Sequence, residues 1–61
     1  MLFERNKMET KLYKVAKIEG EYATLRDEES GDELFIALFL LPEGTDEGCR
    51  LRYEMLEYTL L

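Results

Sequence analysis

One cysteine, Cys49, and no histidine in 61 residues leave this chain without any covalent or metal staple. Domains of this length sit near the lower limit at which apolar burial alone offsets the entropy of ordering the chain, and disulfides, metals or self-association usually close the gap. A lone thiol cannot form an intramolecular bridge, and a zinc site asks for several soft ligands. Self-association is the aid left open. With 46% hydrophobic and 36% charged residues the composition is that of a globular chain rather than a disordered one, so a folded core is expected.

The longest apolar run, Leu34 to Leu41, falls far short of the ~20 residues that cross a bilayer as a helix, so no membrane span is expected. Residues Met1 to Lys7 carry mixed charge and no apolar stretch of the signal-peptide kind, which with the lone thiol points to a cytoplasmic location. The formal net charge is −6. That is the wrong sign for general binding to a phosphate backbone, and nucleic acid is disfavoured as a partner.

Residues 1–10 show no apolar periodicity and read as a loose extension, with Leu2 and Phe3 as the only anchors that would dock it. Residues 11–61 read as one β domain. Leu12 to Ile18 is rich in β-branched and aromatic types and stops at Glu19-Gly20-Glu21, where Gly20 suits a tight hairpin. Tyr22 to Arg26 forms a second strand, closed by the polar loop Asp27 to Asp32, and Glu33 to Leu38 a third. Pro42 breaks the ladder and holds Leu41 extended. After the loop Glu43 to Gly48, Cys49, Leu51, Tyr53 and Met55 alternate with Arg50, Arg52 and Glu54, the clearest period-two signal in the chain. Leu56 to Leu61 is either a fifth strand after a tight reversal or a continuation of the fourth. The fold class that follows is mostly β: a small four- to five-stranded antiparallel meander or an SH3-like or OB-like barrel.

The run Val15-x-x-Ile18-Glu19-Gly20-Glu21-Tyr22-Ala23-Thr24-Leu25, an acidic hairpin, and then Leu41-Pro42-Glu43-Gly44-Thr45-Asp46-Glu47-Gly48 before an alternating strand resembles a family of short bacterial proteins known as domain of unknown function 3006. The likeness covers about two-thirds of the chain. It implies a compact β domain and brings no catalytic residues. This sequence departs from the family pattern at Leu38, Phe39 and Leu40, where polar residues are usual, and at Cys49, where an acid is common.

The carboxylates of Asp27, Glu28, Glu29, Asp32 and Glu33 lack the spacing of a calcium loop and read as a solvated hairpin tip, as do Glu43, Asp46 and Glu47. No histidine is present for acid–base work, and a domain this small has little room for a substrate pocket of ~300 Å³ beside its core. Neither an enzyme nor a cofactor or metal site is expected. Cys49 shares a face with Leu51 and Tyr53, away from Arg50 and Arg52, and reads as a packed thiol rather than an activated nucleophile.

Two surfaces stand out. Leu38-Phe39-Leu40-Leu41 enters the proline turn as four consecutive apolar residues, either tucked into the core by a helical turn or left exposed as a patch. In the second case Leu38, Phe39 and Leu40, extended by Tyr58, Leu60 and Leu61, form a candidate protein interface, with a homodimer or another protein as partner. The other surface is a stripe of Lys14, Lys17, Arg50 and Arg52, with Lys11 and Tyr13, which suits single-stranded nucleic acid if β-neighbours bring it together. Cross-strand pairing of those bases with acids is the competing expectation. The combined reading is a non-enzymatic interaction or structural module, with a small single-stranded nucleic-acid-binding barrel or an accessory domain of a larger complex as the alternatives.

Overall fold

Alternating apolar and polar residues become five antiparallel strands in one sheet. The computed structural model describes residues 10–61, so Leu2, Phe3 and the rest of the expected extension up to residue 9 lie outside the described residues. The strands are β1 (Lys11–Glu19), β2 (Tyr22–Asp27), β3 (Glu33–Ala37), β4 (Arg50–Glu54) and β5 (Glu57–Leu60), with a 3-10 turn at Leu38–Leu40. Their order across the sheet is β3-β2-β1-β4-β5. The first three strands are joined by hairpins; the chain then crosses to the other side of β1 and ends in the β4–β5 hairpin. No helix among the described residues is long and apolar enough to cross a membrane.

Of the two architectures expected, the meander is found and the barrel is not. β3 and β5 end the sheet as separate edges. Both are short, and the connection that follows β3 packs on the inner face, where Leu41 joins Val15, Leu25 and Leu51 in the core.

The two sides of the sheet follow from register. Tyr13, Val15, Ala23, Leu25 and Leu51 point inward and are buried, with Ile18, Ile36, Tyr53, Tyr58 and Leu60 packed beside them. An irregularity between Val15 and Lys17 keeps this phase: Val15 faces Leu25, but Lys17 faces Thr24 and Ile18 faces Ala23. Ala16 is therefore the extra residue of a bulge, which lets odd-numbered Tyr13 and Val15 and even-numbered Ile18 share one face. Past the bulge β1 outruns β4. The Gly48 N–H donates to the Val15 carbonyl and the Val15 N–H to the Cys49 carbonyl, at 2.9 and 2.8 Å. Further along, the Ile18 N–H donates to the Glu47 carboxylate at 2.8 Å, so a loop side chain satisfies a donor that no strand reaches.

The β4–β5 hairpin resolves the ambiguity at the C-terminus in favour of a fifth strand. Glu54 pairs with Glu57, leaving Met55 and Leu56 as a two-residue turn at φ of 53° and 65°. Such turns need left-handed backbone at both central positions and strongly favour Asn-Gly. Glycine is absent here, so the sequence carries no local signal for the reversal. The closing pair also sets two carboxylates opposite one another, a destabilising arrangement. Packing compensates further down, through the Tyr53–Tyr58 and Leu51–Leu60 pairs on the inner face.

Candidate functional site

The inner face is covered unevenly. The 3-10 turn expected as one alternative does form, but it sorts the four apolar residues rather than burying them together: Leu41 is buried and Leu38 packs on the core, whereas Phe39 is 83% and Leu40 57% exposed. A three-residue turn spreads successive side chains around its axis, so consecutive residues cannot all face inward. Beside it an open groove of about 360 Å³ is lined by Ile36, Leu40, Pro42, Tyr53, Leu56 and Tyr58. Tyr58, one of these lining residues, has its ring 4.6 Å from that of Tyr53 and 6.3 Å from that of Tyr13. Burial, followed by the nearby Tyr13 and Tyr53, pushes its hydroxyl above the usual tyrosine range, and it stays neutral.

Of the expected interface residues, the fold thus brings Leu40 and Tyr58 together on one groove. Leu38 and Leu60 pack mainly on the core, Phe39 projects beside the groove, and Leu61 is exposed at the end of β5. Sequence reasoning missed the hairpin tip, where Met55 is 69% and Leu56 88% exposed. Two large apolar residues between Glu54 and Glu57 were the available signal.

The outer face carries charge. Lys14 lies between Arg50 on β4 and Arg26 on β2, and Lys17 lies beside Thr24. The expected stripe therefore assembles in part, while Tyr13 and Lys11 leave it. Tyr13 is buried on the inner side, and Lys11, opposite Tyr53, lies 3.7 Å from Asp27. Cross-strand and local ion pairs also form: Arg50 donates twice to Glu28 at 2.8 Å, Arg26 to Glu33 at 2.9 Å, and Lys17 sits 3.3 Å from Glu19. Arg52 Nε is 3.6 Å from Glu54 Oε1, an ion pair too long for a hydrogen bond.

The acidic turn after β2 does structural work that a solvated tip would not. Asp27 is nearly buried, and its Oδ1 accepts from the Glu29 and Ser30 N–H groups at 2.8 and 3.1 Å. Those backbone bonds, more than Lys11, hold its carboxyl below the usual carboxylate range; Glu28 is lowered likewise by its Arg50 hydrogen bonds. Carboxylates with lowered folded pKa values contribute stability that is present above their unfolded values and is lost as pH falls through the folded ones. Thermal stability should therefore hold steady above about pH 5 and decline below about pH 4. Asp27→Asn should flatten that decline in melts followed by circular dichroism. An unchanged acid slope would show that Asp27 is not a source of it.

Among the described residues no three histidine, cysteine or carboxylate side chains converge as a metal ion would need. The chain matches no family model, no curated protein and no solved structure.

Proposed function

We propose that this chain is a non-enzymatic protein-interaction module that pairs with a second copy of itself along β5 and the groove beside it. One observation carries the reading. Met55 and Leu56 occupy left-handed backbone that costs an ordinary L-residue roughly 1 kcal/mol or more, yet both side chains stand in water. The monomer buries little of either side chain there, and local rules broken without a local return are expected at functional positions.

Strand register supports the choice of partner. The Leu61 N–H donates to the Arg50 carbonyl at 3.0 Å, so Thr59 and Glu57 turn their backbone groups toward β4. Tyr58 and Leu60 therefore direct theirs away from it. A two-fold axis through Thr59 sets Tyr58 opposite Leu60 of the second copy, with both backbones in hydrogen-bonding phase and both side chains on the inner face. Glu57 then opposes Leu61 rather than another acid. The arrangement satisfies an open edge and extends the apolar face across the axis. Because each copy carries −6, salt should strengthen the pairing.

The resemblance to domain of unknown function 3006 implies a compact β domain, which accords with this reading. A cytoplasmic setting suits its lone thiol. Amide resonances followed on dilution test the pairing: Tyr58 and Leu60 should shift and lose exchange protection, while Thr24 on the outer face stays fixed. Dilution shifts at Phe39 that spare β5 would move the interface elsewhere, and no shifts at all would leave a different protein as the partner.

A further inference from the structure

The outer face of the sheet, remote from the groove, combines two features that sequence reading did not put together. Tyr22 and Phe35 stack on it with ring centres 5.2 Å apart and planes 8° from parallel, and they are 50% and 66% exposed. They come from different strands: Tyr22 faces Ala37 and Phe35 faces Thr24, so the rings meet diagonally across β2 and β3. Thr24 is in turn flanked by Lys17. Next along the sheet runs the row Arg50, Lys14, Arg26. Among the described basic residues, Lys11 alone turns away from this face.

The acids do not share that concentration. Those in outward phase, Glu19, Glu33, Glu54 and Glu57, stand at strand ends, and Glu28 belongs to the turn after β2. The net charge of −6 therefore hides an uneven distribution, with cations over the middle of one face and carboxylates around it. A shallow depression of about 570 Å³ opens at the β1 bulge, between Lys14 and Arg26 on one side and Glu47 and Gly48 on the other.

We infer that this face binds a short stretch of single-stranded nucleic acid, with a base stacked on the Tyr22–Phe35 pair and phosphates held by Lys14, Lys17 and Arg26. Each part has its physical reason. Exposed rings gain by stacking on any base, and the paired strands β2 and β3 already hold both rings side by side on the outer face. The ion pairs with Glu19 and Glu33 are solvent-exposed, and such pairs are weak enough for a phosphate to displace the acid. A duplex would hide its base faces from the rings, so the single strand is the form that fits.

Fluorescence anisotropy of a labelled oligothymidylate dodecamer, titrated with the full chain, tests this. About three phosphate contacts predict a roughly 20-fold loss of affinity between about 50 mM and about 200 mM salt. Tyr22→Ala and Phe35→Ala should each weaken binding by about 5-fold or more. Both positions are exposed, so the variants should fold as the parent does, and circular dichroism is the check on that. Leu56→Ser, away from this face and without a change of charge, should bind the oligonucleotide as the parent does, so failure of the dimer and failure of this site are separable. No binding at low salt would overturn the inference, as would binding indifferent to both ring substitutions. Equal affinity for a labelled oligoglutamate would make the partner an acidic protein segment instead.

Discussion

Leu51→Ala is expected to unfold a large fraction of the molecules at physiological temperature. Leu51 is fully buried on β4, paired with Tyr13 of the central strand β1 on one side and Leu60 of β5 on the other. Removing the side chain loses its transfer energy and leaves a cavity, together about 2–5 kcal/mol. A domain of 61 residues has roughly 3–9 kcal/mol in total, and one cysteine cannot supply a disulfide to offset the loss. Phe39→Ala removes a larger side chain at an 83% exposed position and should shift folding of the monomer by less than about 0.5 kcal/mol. Urea melts of the two variants in dilute solution check the contrast. Equal midpoints would mean that the core is not where β1, β4 and β5 place it.

The second large effect has opposite signs in one variant. Replacing Met55-Leu56 by Asn-Gly gives the hairpin the residues its backbone favours, and the isolated chain should gain about 1–2 kcal/mol. The same change strips the apolar tip from the end of the groove, at the margin of the paired strands, and should weaken self-association by about 10-fold. A more stable chain that pairs more weakly is thus the expected product, seen as a higher urea midpoint in dilute solution together with a dimer mass reached only at higher concentration. A variant that is stabilised yet pairs as the parent does would remove the tip from the interface. One that is destabilised would show that Met55 and Leu56 serve the monomer after all.

These residues also show what a sequence reader can and cannot see. Alternation along Arg50 to Glu54 needs only local order and forms β4 as expected, but Met55, which continues the same pattern, leaves the strand for the turn and is exposed. Gly20, at a φ of 58°, closes the first hairpin because only the backbone of that residue had to be understood. The bulge at Ala16 left no local trace, since an inserted residue is visible only against the strand it faces. Asp27 looked like one more acid in a polar loop; its role depends on the two N–H groups that the turn aims at it. Phe39 and Leu40 were singled out by a run too long for a strand to bury, and both are exposed. The Tyr22–Phe35 pair went unnoticed because it exists only once β2 and β3 are in register, although each ring alternates with inward-facing neighbours along its own strand.

Self-association through β5 and the groove is the claim on which the functional reading rests, and the mass in solution measures it most directly. Light scattering over a wide concentration range should show the 7.2 kDa chain rising toward twice that mass, at lower concentration as salt is raised. A mass that stays at 7.2 kDa at every concentration and salt level would contradict it.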